Sequence, residues 1–107
     1  MPAAPLAVLV AAAPGRPGVE ALLEAAEREA RAGTVVDVLW TGDGLAALSG
    51  PWPARLVAAG VRTAICAHSA RLRKVNPIAV PPTVRWSSLA THLREVAAGA
   101  RLWSAFP

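Results

Sequence analysis

With 107 residues, 54% of them hydrophobic and 17% charged, the chain has the length of one domain and enough apolar content for one core, which excludes a disordered segment. No apolar run approaches the roughly 18 to 20 residues of a membrane span, and a single cysteine permits neither an internal disulfide nor a Cys/His metal set. The net charge of +4, from ten arginines and one lysine against seven acids, raises nucleic-acid binding, but there is no broad basic stripe interleaved with stacking aromatics, so nucleic acid is the minority reading.

Residues 5–12, PLAVLVAA, form a continuous apolar run bounded by proline and glycine, the pattern of a strand buried on both faces and placed centrally in a sheet. The run resembles the apolar region of a signal peptide, but no Lys or Arg precedes it and its removal would delete a natural first strand, so a cytoplasmic chain is expected. The turn APGRPG follows at 13–18. From Val19 the apolar positions Leu22, Leu23, Ala26 and Ala30 recur at helical spacing, with Glu20 and Glu24 early, Arg28 and Arg31 late, and Gly33 as the stop. Glu24 with Arg28, and Glu27 with Arg31, stand at i,i+4 and are expected to pair.

TVVDVLW at 34–40 is rich in β-branched residues and predicts a second strand, parallel to the first because a helix joins them. TGDGLAAL leads through a loop into a short helix, SGPWP at 49–53 turns, and ARLVAAG adds one or two helical turns up to Gly60. VRTAIC is the third strand, and AHSARLRKV after it opens a helix. NPIAVPP is proline-rich loop, TVRW a fourth strand, and SSLATHLREVAAGA a helix capped by Ser87 or Ser88, with Leu89, Leu93, Val96 and Ala97 on one face. RLWSAF closes the sheet.

This alternation specifies a three-layer, doubly wound α/β domain with a mainly parallel five-stranded sheet, flavodoxin-like, with the expected strand order 2-1-3-4-5. In such sheets reactive groups collect beyond the carboxyl ends of the strands where the order reverses, here between strands one and three. Cys66 ends the third strand there, and Pro14 and Gly15 lie in the loop after the first.

A thiol acts as a nucleophile only as thiolate, a form favoured by a following helix start, a neighbouring His and nearby cations. The stretch after Cys66 supplies His68, Arg71, Arg73 and Lys74, and the N–H groups of Ala67, His68 and Ser69 can solvate an anionic sulfur. Against this stands the habit of free cysteines to pack as small buried hydrophobes. The other candidates are weaker. PGRPG has no GxxxxGK pattern, Asp43 in TGDG is a turn or cap residue before it is a catalytic acid, and His92 has no second ligand at metal spacing and is expected at the surface. No nucleophile elbow is present, so hydrolase chemistry has no support. Trp40 is expected in the core, and Trp103 in the core or at a subunit interface.

Three stretches, LWTGDGLAAL at 39–48, VRTAICAHSARLRK at 61–74 and GARLWSAF at 99–106, make the chain resemble the DsrE/DsrF-like family of small sulfur-relay proteins over nearly its whole length as a single domain. The resemblance implies association into dimers, trimers or hexamers, no cofactor and no metal. It also implies a cysteine, here Cys66, that takes sulfane sulfur from a donor protein as a persulfide and passes it to an acceptor in the manner of a sulfurtransferase. Asp43 would be structural in that scheme. The competing expectation is a non-catalytic oligomeric module with a ligand or partner crevice at the strand ends and Cys66 as packing.

Overall fold

A computed structural model describes residues 4–107. Five strands, β1 (Leu6–Val10), β2 (Val36–Trp40), β3 (Arg62–Cys66), β4 (Val84–Ser87) and β5 (Arg101–Ala105), form one sheet in which every pairing is parallel. Helices α1 (Val19–Arg31), α2 (Trp52–Ala58), α3 (Ala67–Leu72) and α4 (Leu89–Ala97) connect them, with a 3-10 helix at Gly42–Ser49 and another at Pro77–Ala79. The fold class is the expected three-layer α/β arrangement.

The strand order is β4-β3-β2-β1-β5, not 2-1-3-4-5. The chain steps in one direction from β1 through β4, and right-handed crossovers then place α1, α2 and α3 together on one face. Only the last crossover runs the other way, carrying α4 over the opposite face to set β5 beside β1. The reversal therefore lies between β1 and β5, and β2 separates β1 from β3.

Strand alternation divides the core accordingly. Leu6, Val8, Val10, Val38, Trp40 and Ile65 meet Val19, Leu23 and Ala26 of α1, Trp52 and Leu56 of α2, and Ala70 of α3. Leu9, Leu39, Ala64 and Cys66 form a smaller cluster on the other face. The apolar run of β1 is buried throughout, as a strand with neighbours on both sides and helices above and below must be.

Arg55 ties α2 to α1: its guanidinium donates to both Glu27 oxygens at 2.8 and 2.9 Å and lies 4.3 Å from the centre of the Trp52 ring. Glu29 takes Arg101 at 2.7 Å. Glu27 and Glu29 thus bond across elements, and the expected i,i+4 bonds within α1 do not form; a partner on a second element closes tertiary structure where Arg28 or Arg31 would not.

His92 is 4% exposed, not at the surface as its flank position implied. The α4-facing side of the sheet carries Asp37, 5% exposed, which accepts from one Arg85 nitrogen at 2.8 and 2.9 Å and has Arg62 at 4.0 Å. A sheet face with an ion pair in its floor accommodates an imidazole, and α4 consequently leaves Leu89 and Leu93 exposed.

Candidate functional site

Cys66 closes β3 and its own backbone, extended at φ −71° and ψ 113°, is the residue before the first turn of α3. The abrupt change from strand to helix at this residue places its sulfur at the start of α3, where Cys66 makes no capping hydrogen bond through its side chain. Burial pushes the thiol pKa up, but the N–H and hydroxyl of Ser69, the hydroxyl of Thr41 and the N–H of His68 outweigh it, and the net shift is downward. The groups that favour the charged form are hydroxyls and backbone N–H groups, with no cation among them.

The hydroxyls form their own network. Thr41 Oγ1 and Ser69 Oγ are 2.8 Å apart, and the Gly42 N–H donates to Ser69 Oγ at 3.1 Å. Because Ser69 Oγ accepts from Gly42, its hydrogen is free to turn to the sulfur or to Thr41. Both hydroxyls can point at Sγ when it is charged and at each other when it is not.

Thr41 reaches this position because β2 is the neighbour of β3, so the residue just past Trp40 stands beside the end of β3. It was missed in the sequence, where the order 2-1-3-4-5 keeps β2 away from β3. The signal that would have found it is a hydroxyl residue directly after the second strand, read with the correct neighbour.

Of the anticipated residues, Ala67, His68, Ser69 and Arg71 follow Cys66 on α3, with His68 and Arg71 exposed. His68 acts through its backbone and not its ring. Arg73 is held by Asp43 at 2.7 Å, which fastens α3 to the 3-10 helix and uses up both charges. Pro14 and Gly15 are not brought to the cysteine: they follow β1, two strand positions or about 10 Å across the sheet. The Gly15 N–H donates to Glu20 Oε1 at 2.6 Å, so a carboxylate of the same chain already holds that donor.

Gly44 is a second residue the sequence did not single out. A side chain there would overlap the carbonyl oxygen of Val10, so the 3-10 helix packs on the end of β1 through bare backbone. Thr41 N–H donates to the same carbonyl at 3.0 Å. The strand ends of β1 and β2 are locked together directly beneath Thr41.

Two concavities flank this frame. One, of about 280 Å³, is lined by Ala67, Ala70 and Arg71 of α3, Val75 and Pro77 of the following loop, and Trp86 of β4. The other, of about 260 Å³, lies at the opposite, amino end of the strands around Leu6, Val35, Asp37, Arg62 and Glu95. Cys66 lines neither; it is 5% exposed and packs with Leu9, Leu39 and Ala64. Among the described residues no group of three His, Cys, Asp or Glu side chains is placed to hold a metal ion, and no helix is long and apolar enough to cross a membrane.

The fold is shared with proteins of known structure. A protein of unknown function, MTH1491 from Methanobacterium thermoautotrophicum, superimposes with a TM-score of 0.82 at 13% identity, over 96% of this chain and 100% of that one. The ychN protein from E. coli gives 0.79 at 14% identity, over 96% and 100%. A conserved protein of unknown function from Bacteroides thetaiotaomicron, BT1422, gives 0.74 at 11% identity, over 94% of each chain. At these identities the likeness is one of fold. No protein-family model matches the chain, and no curated protein matches it.

Proposed function

We propose that the protein is a cytoplasmic sulfur carrier of the DsrE/DsrF-like kind, with Cys66 as the carrying thiol. The observation that supports this reading is the place of Cys66, at the end of β3 and directly before α3, beside the paired hydroxyls of Thr41 and Ser69, a polar setting that lowers the thiol pKa against the effect of burial. In the forward step the Cys66 thiolate attacks the outer sulfur of a donor persulfide, the donor S–S bond breaks, and the donor leaves as a thiolate. An acceptor nucleophile then attacks the outer sulfur now held on Cys66, whose thiolate is the leaving group. Sulfur moves as a neutral atom, so no external oxidant, metal or organic cofactor enters the balance. A lowered pKa serves both halves, since it raises the thiolate fraction for attack and improves the leaving group.

The subunits associate in this reading, and the exposed Leu89 and Leu93 of α4 supply the apolar stripe for it. The second reading, a non-catalytic binding module, draws support from the 5% exposure of Cys66 and its packing with three apolar side chains.

Intact mass after incubation with a polysulfide donor separates the two. The carrier gains one sulfur atom on Cys66, the gain is reversed by reductant, and Cys66→Ser shows none. A native protein that gains no sulfur, and whose Cys66 is alkylated only in denaturant, is the binding module.

A further inference from the structure

The observations converge on the β4 edge of the sheet. β4 is the outermost strand beside β3, so every second residue leaves its N–H and C=O without a strand partner. Its four residues carry no proline and no inward charge on the Trp86 face, and Trp86 is 48% exposed, an unusual state for a tryptophan in a strand. Beside the ring runs the groove of about 280 Å³ with the apolar floor Ala67, Ala70, Val75 and Pro77. The segment around it holds Leu72 at 71% and Ile78 at 92% exposure. The charge at the groove is of one sign: Arg71 lines it and Lys74 follows on the same turn, both exposed and without an ion-pair partner among the described residues, whereas Arg73 and Arg85 are spent on Asp43 and Asp37.

We propose that this edge binds an extended, acidic segment of another protein, which adds a strand to β4 and sets an apolar side chain against Trp86 in the groove. Strand addition gives the main-chain hydrogen bonds, alternate side chains fall on the groove face, and the carboxylates between them meet Arg71 and Lys74. A second copy of this chain does not supply such a segment. Its seven acids are four glutamates on helix α1, the buried Asp37, the paired Asp43 and Glu95 on α4, and its free sheet edge β5 begins with Arg101. The site stands independently of the thiol chemistry, although Ser87 of β4 is the register partner of Cys66 and any bound strand would end beside it.

The test is fluorescence anisotropy of a labelled, end-capped peptide of alternating glutamate and valine, titrated with the Cys66→Ser protein so that no covalent capture contributes. The expected result is saturable binding, absent for the matching lysine and valine peptide and for the acidic peptide with proline at its centre. Arg71→Glu with Lys74→Glu, two exposed side chains without an ion-pair partner among the described residues, should weaken binding at least about tenfold, and Trp86→Ala by a similar factor. Circular dichroism on each variant confirms the fold, and the double charge variant decides the matter if Trp86→Ala unfolds. Binding that is absent, indifferent to the charge reversal, or unaffected by the central proline overturns the proposal. So does sedimentation showing that the peptide acts by dissociating a dimer held through β4, which would make a second copy the occupant.

Discussion

Thr41→Ala removes one hydroxyl from the sulfur and leaves the Ser69 hydroxyl without its 2.8 Å partner. Because the neighbouring hydroxyls lower the Cys66 pKa, their loss raises it. The pH profile of iodoacetamide alkylation should therefore shift to higher pH in Thr41→Ala and in Ser69→Ala, with slower reaction at neutral pH. An unchanged profile would show that the hydroxyls do not reach the thiolate. Gly44→Ala tests the platform below: its methyl group would overlap the Val10 carbonyl, and relief requires the 3-10 helix to move off β1. A loss of about 2–3 kcal/mol is expected in urea unfolding. Neither Thr41 nor Gly44 was legible in the sequence, since both owe their role to which strand lies next to which. Cys66 and Ser69 were legible because their relation is local.

At the level of elements, α4 is where packing overruled pattern. Its spacing placed Leu89 and Leu93 toward the sheet; the helix instead buries His92, whose Nε2 finds no hydrogen-bond partner. Burial lowers the His92 pKa, and Arg85 acts in the same direction, against the carboxylates of Asp37 and Glu95 and the Val8 carbonyl. The folded pKa thus lies below the unfolded value of about 6.5, so on acidification the unfolded chain takes up the proton first. Stability should be independent of this group above that pH and fall as pH drops through the interval down to the folded pKa. His92→Leu should flatten the dependence in pH-resolved thermal melts; an unaltered slope would place its origin in the carboxylates. The start of α1 followed from sequence, as did a serine cap on α4, which the structure resolves between Ser87 and Ser88 in favour of Ser88, because caps and helical spacing are local signals. Strand order did not, because both orders use the same strands, the same helices and the same right-handed crossovers. An apolar run states that β1 is interior without naming its neighbours.

For the molecule as a whole, the stripe of Leu89 and Leu93 should determine the state of association. If the subunits associate as proposed, Leu93→Glu is expected to reduce the mass measured by light scattering while leaving the far-ultraviolet circular dichroism unchanged, and an unaltered mass would count against association through this stripe. The five-stranded parallel sheet was evident from the alternation of elements, whereas the single helix on one of its faces was not, since that follows from the order alone. That order also governs the sequence of events during synthesis. β1 emerges first yet pairs with β5, the last strand to be made, and the Arg101 N–H donates to the Pro5 carbonyl at 2.8 Å across almost the entire chain. Until β5 and α4 arrive, the nascent sheet has β1 as a bare edge and one apolar face open to water, the condition that recruits holdase chaperones. A chain interrupted just before Arg101 leaves β1 without its second strand partner and should be lost to aggregation or proteolysis where the full chain is not, which pulse-chase comparison of the two checks.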